Sequence, residues 1–259
     1  MFRHKGKSRT LKHNLQLAAC LAFVAGIVNV CGFFSLQILT TNVTGHFAHF
    51  ADEAAKANYT AAWLSVAYVA AFFAGAFFST MVTEVVSRRS GRLVYTVPIF
   101  IEITLLLFIA LLNNRIVVLH AHVVACALLF AMGLQNALVT HVSSAVVRTT
   151  HLTGLFTDLG IELAQLFFYK KPEQKHRLTG AIKLHFTIVA FFFLGCITGG
   201  YVFSSWKIKT LLLAVICLII AALYDGLKFG VVRLKRKYRR GAAMRPGRYL
   251  YSTRRPPQT

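Results

Sequence analysis

The sequence predicts an all-α membrane protein of six transmembrane helices, arranged as a 3+3 inverted repeat. Each half carries a Thr-Gly helix break and a short extra helix. Three observations lead there. Of 259 residues, 56% are hydrophobic and only 14% charged, against about a quarter charged in soluble domains. The apolar residues gather in runs of about 20, enough to cross a bilayer as helix. A polar stretch after the first run, "TTNVTGHFAHFADEA" from Thr40, returns as "TTHLTGLFTDLGIELA" from Thr149.

The first span is 15–39, too long for a signal-peptide core and read as retained. The second is 61–83, "AAWLSVAYVAAFFAGAFFSTMVT", and the third is 93–112, "LVYTVPIFIEITLLLFIALL". The fourth is about 116–140, the fifth 180–203 and the sixth 210–230. These runs are apolar on every side, which marks membrane helices rather than amphipathic surface helices. Helix is the form that satisfies its own backbone in lipid, and the short alternating strands of a barrel are absent. The chain divides into a basic N-terminus (1–14), two three-helix repeats (15–112 and 116–232) and a basic tail (233–259).

The net charge of +21 has the size of a nucleic-acid binder's, but its placement points elsewhere. Arg3, Lys5, Lys7, Arg9 and Lys12 precede the first span, and Arg88, Arg89 and Arg92 follow the second. Lys170, Lys171, Lys175 and Arg177 precede the fifth, and the tail holds most of the rest. The alternate loops hold only Lys56, Arg115, Lys207 and Lys209. Positive residues stay in the cytoplasm, so both termini are expected there, with an even number of spans. The tail is expected to touch anionic lipid, and no nucleic-acid reader is visible. Cys20, Cys31, Cys126, Cys196 and Cys217 all lie in apolar runs, as small buried residues do.

The repeat carries the functional expectation. Gly26-x-x-Asn29 matches Gly133-x-x-Asn136. The Thr-Thr-x-x-Thr-Gly of 40–45 recurs at 149–154, and at the same spacing Glu53 matches Glu162 and His49 matches Asp158. Each copy opens three spans. Three is odd, so the halves enter the membrane in opposite senses, as in several transporters. Thr44 and Thr153 are expected to cap new helices near 46–57 and 155–168, with Gly45 and Gly154 allowing the turn. Such helix starts suit anions or polar ligands. The two breaks are expected to face each other at mid-membrane around one polar site. The competing reading puts them at the interface, since 25 residues of helix, about 37 Å, exceed a ~30 Å hydrocarbon core.

The candidate substrate-binding residues are Asn29, Thr41, Thr44, Gly45, Glu53, Asn136, Arg148, Thr150, Thr153, Gly154, Asp158 and Glu162. Arg148 is expected to pair with an acid or an anionic substrate. Glu102, midway in the third span, is a buried acid that is either part of a solute or proton path or a neutral core group. His46 and His49 sit at helical spacing with Asp52 and Glu53, a weak metal face that the second copy does not repeat. No metal or other cofactor is expected, and no catalytic residue. "GKS" at 6–8 lacks the preceding glycine of a phosphate loop.

"AGIVNVCGFF" with "TTNVTGHFAHFADEAA", and "AMGLQNALVTHVSS" with "TTHLTGLFTDLGIELA", resemble the YoaK-like family, a domain of unknown function (number 1275). The resemblance covers about 15–230. It implies a six-helix protein of the bacterial inner membrane and carries no established activity. His46 departs from the Asn of many members after the first Thr-Gly, and Asn29 from an acid found in some. The expected function is a small secondary transporter or channel-like carrier for a small polar or anionic solute, able to form homo-oligomers. A non-transporting sensor or assembly partner is the alternative, and an intramembrane enzyme a distant one.

Overall fold

The computed structural model describes residues 10–89, 94–143 and 146–224. Among these every regular element is helical. The first nine residues, Arg92 and the tail from 233 lie outside them. The helices are α1 (Leu11–Leu36), α2 (Val43–Ala55), α3 (Tyr59–Arg89), α4 (Thr96–Leu111), α5 (Asn114–Leu119), α6 (Ala121–Ser143), α7 (Leu152–Phe168) and α8 (Pro172–Trp206). A 3-10 turn, Lys207–Thr210, leads into α9 over 211–224.

Among the described residues, four long helical stretches are apolar enough to cross a membrane: α1, α3, α6, and α8 with its continuation to Tyr224. The expected third span is the 16-residue α4, about 24 Å long, an apolar helix shorter than the four long stretches. The expected fourth span is cut at His120, so α5 is a short separate turn before α6. α8 begins at Pro172, eight residues before the expected 180, because Pro fits the first helical turn. Between α8 and α9, Lys207 adopts φ 49, a left-handed conformation that ends α8.

Contacts fix the helix directions. Gly195 meets Phe23, Gly199 meets Ile27, and Phe203 packs edge-on to Phe34 at 5.5 Å, so α8 runs parallel to α1. Tyr68 meets His122 and Gly75 meets Phe130 and Leu134, so α3 runs parallel to α6. Gln135 donates to Leu21 O at 2.9 Å while Leu128 touches Gly32's position, so α1 and α6 are antiparallel. Cys20 Sγ lies 4.0 Å from Cys217 O, so α9 returns along α1.

The most extensive contacts are α1 with α8 and α3 with α6; α1 and α6 touch far less. Glycine explains both close pairs. A Cβ on Gly26 would stand 2.2 Å from Phe192 O, and one on Gly133 would stand 2.0 Å from Phe72 O. Small residues let backbones approach in this way inside membranes. The core joins one face of α9 (Leu211, Ala214, Val215, Leu218) to α1, α4 and α6. Large aromatics face outward, including Phe73 (69% exposed) and Phe77 (62%) on α3. A water-facing surface rarely presents so much apolar area, whereas lipid accepts it.

Candidate functional site

α1 ends where Gln37 turns to φ 59 and donates its N–H to Phe33 O. The chain then doubles back. Asn29 Oδ1 accepts from the Thr41 amide at 3.2 Å and from its hydroxyl at 2.9 Å. The Thr40 methyl occupies the space left by Gly32, 2.5 Å from where a Cβ would be. Residues 40–41 therefore sit level with 29–32 of α1, about 6–10 Å back from its end. The break re-enters alongside the helix instead of lying beyond it.

α2 starts at Val43, earlier than expected, and its cap is Asn42, not Thr44. Asn42 Oδ1 accepts from Gly45 N at 3.0 Å. Thr44 is an exposed first-turn residue. Likewise α7 starts at Leu152 with His151 at its cap position, not Thr153, and no side chain caps it. In both copies the residue after Thr-Thr takes the cap position, leaving the Thr of Thr-Gly inside the helix.

A cavity of about 380 Å³ opens at the first break. Buried His46, Ser65 and Tyr68 line it together with exposed Asn42, His49 and His122. His46 is 7% exposed, and its Nε2–H donates to Leu39 O at 3.1 Å. The His46 ring lies 5.2 Å from that of Tyr68, whose hydroxyl shares a 2.6 Å hydrogen bond with His122 Nδ1. Burial pushes the His46 imidazole below its ordinary value; the Leu39 carbonyl opposes this, and His49 adds to it. A larger depression of about 1040 Å³ between α3, α4 and α6 is almost wholly apolar. Its Thr104 spends its hydroxyl on Phe100 O at 2.8 Å, so that depression has little to offer a polar solute.

The expected site residues disperse. Asn29, Thr41 and Gly45 build or border the first break. Glu53 sits at the far end of α2, where it accepts from Asn58 Nδ2 at 2.6 Å and closes the turn into α3. At the second break Thr149 is fully buried and its hydroxyl has no partner among the described residues; Thr150 is half-buried. Asn136 Oδ1 likewise has no partner among the described residues. Arg148, Thr153 and Asp158 are exposed, and Gly154 lies under the His151 ring. Glu162 reaches α8, 3.0 Å from His185 Nδ1. Glu102 is 0% exposed with neither oxygen hydrogen-bonded.

The two breaks do not come together as expected. α1 and α6 are antiparallel and each is followed by its own break, so the breaks lie toward opposite ends of that pair. α2 packs on α3, and α7 on α8. Tyr68, Ser65 and His122 were not among the expected residues. The signal for His122 is the His120-x-His122 pair at the mouth of an apolar run. Among the described residues no three His, Cys, Asp or Glu side chains gather as a metal site.

An all-helical body with outward aromatics, a chain that breaks and restarts beside α1, and a half-polar cavity at that break define a multi-helix membrane protein. Within that class, the chain belongs to the family described as Protein of unknown function (DUF1275), whose model matches residues 17–224 and so includes both breaks. It is similar to the UPF0700 transmembrane protein YoaK of Bacillus subtilis (strain 168), with 23% identity over 159 residues, 61% of this chain and 71% of that protein. No solved structure matches it.

Proposed function

We propose that the chain is a small secondary carrier of the bacterial inner membrane, with both termini cytoplasmic, for a small polar or anionic solute. The observation that carries this is the cavity at the first break, where irregular backbone re-enters beside α1 and polar side chains converge. Irregular backbone at depth persists where protein or a water-filled cavity satisfies it.

The helix pairings support a 3+3 inverted repeat. α1 with parallel α8 mirrors α6 with parallel α3, each pair crossing at glycines, Gly26 with Gly195 and Gly133 with Gly75. The bodies that rock in this reading are therefore α1–α8 and α3–α6, each drawn from both halves, and not the sequence halves themselves. They meet along the sparser α1–α6 contact, with the cavity beside it. Charge supports the orientation. Lys12, Arg88, Arg89, Lys170 and Lys171 fall toward the α1 start, and Lys56, Arg115, Lys207 and Lys209 toward its end. The first-break cavity then opens away from the cytoplasm.

The test is thiol labelling of Thr44→Cys and Thr153→Cys in a background without the native cysteines. A carrier makes each site reactive to a membrane-impermeant reagent, with the accessible side shifting when solute is added. Complete inaccessibility of both positions overturns the reading.

A further inference from the structure

We infer that the first-break cavity takes up a small aliphatic monocarboxylate together with one proton, and that His46 receives the proton. This rests on the carrier reading of the same cavity and adds its ligand chemistry.

The charge inventory of the cavity points to an anion. Among the described residues no Asp, Glu, Lys or Arg lines it. The ionisable groups facing His46 are His49 on its own helix, Tyr68 from α3 and His122 from α6; α1 and the segment after it supply only the amides of Gln37 and Asn42. A permanent cation finds no countercharge there. A carboxylate meets three imidazoles and, at Gly45, the first turn of the 13-residue α2, whose dipole favours negative charge. The walls Phe33, Leu36 and Leu64 offer an apolar seat for a short chain.

A carboxylate alone in a half-buried site without a fixed cation is costly. His46 can neutralise it. Its Nε2–H already donates to Leu39 O, so in the neutral ring the other nitrogen is a bare acceptor. Adding a proton there creates a second donor without breaking the Leu39 bond. One proton and one carboxylate enter as an imidazolium–carboxylate pair, and no covalent bond is made or broken. The sign of the pH dependence follows. Burial holds the free imidazole below its ordinary value, and a carboxylate beside it raises that value. Between the two values binding takes up a proton and tightens as pH falls. Above the upper value no proton is taken up; below the lower, His46 is already charged and affinity levels off.

The experiment is isothermal titration of the full chain in neutral-lipid nanodiscs with butyrate at pH 7.5 and 5.5, in two buffers of different ionisation enthalpy. Butyrate is expected to bind about tenfold tighter at pH 5.5, taking up close to one proton. His46→Gln is expected to bind more weakly, with no pH dependence and no proton uptake, while His49→Gln keeps both. His46→Asn replaces the Gln variant if that variant does not fold. Equal binding at both pH values, or proton uptake that survives in His46→Gln, overturns the inference. So does butyramide binding as tightly as butyrate at pH 5.5, or no binding of either probe. The carrier reading survives those outcomes if the two introduced thiols still label from alternating sides.

Discussion

At the first break Asn29 accepts from both donors of Thr41, Asn42 caps Gly45, and His46 reaches Leu39 O. At the second, Asn136 Oδ1 and the Thr149 hydroxyl lack partners among the described residues, and His151 makes no capping bond. That break is secured at its margins instead. Ser143 Oγ accepts from Val147 N at 2.9 Å before it, and Glu162 meets His185 after it. The repeated residues encode the same event twice, a helix that stops and restarts. The residues that differ, His46, His49 and Asn42 against Leu155, Asp158 and His151, give the first break its two imidazoles and its capping amide, which line the polar cavity there.

Where packing is alike, the halves should respond alike. Gly26→Ala and Gly133→Ala are each expected to cost about 3 kcal/mol, because the added methyl strikes a backbone carbonyl. Thermal melting in detergent measures this, and a tolerated substitution in one half breaks the equivalence. Where the breaks differ, so should the variants. Asn29→Ala is expected to cost about 2 kcal/mol through two lost hydrogen bonds. Asn136→Ala should cost much less, since its carbonyl oxygen has no partner to lose. Equal losses would mean the second break is fastened in a way its geometry does not show. Asn42→Ala removes a cap worth about 1 kcal/mol, whereas His151→Ala should cost under about 0.5 kcal/mol; amide exchange in the first turns of α2 and α7 separates them. Opposite in sign, Gly160→Ala on the exposed face of α7 should stabilise by up to ~1 kcal/mol, since nothing lies within 4 Å.

The apolar runs made the long helices legible, and the two Thr-Gly copies made both breaks legible. The caps were misread by two residues because Thr is a good cap by type, while Asn42 and His151 hold the position by geometry. The cavity was obscured by the repeat itself. Comparing the copies favours what is shared, and His46 and His49 are not shared. Tyr68 and His122 lie 54 residues apart on two spans, and nothing in either run marks the other as its neighbour. Helix pairing was hidden for the same reason. Gly26 and Gly195 look like ordinary small residues until α1 and α8 are seen to cross there.

That crossing has a consequence for how the molecule is made. The ribosome finishes α1 long before it begins α8 at Pro172. At about 5–20 residues per second, the delay is roughly seven to twenty-seven seconds. Through that interval the glycine face of α1 stands in the bilayer without the partner it is shaped for. The amino-terminal half cannot finish its fold alone, and release of a chain cut short before α8 should leave α1 as a substrate for membrane quality control.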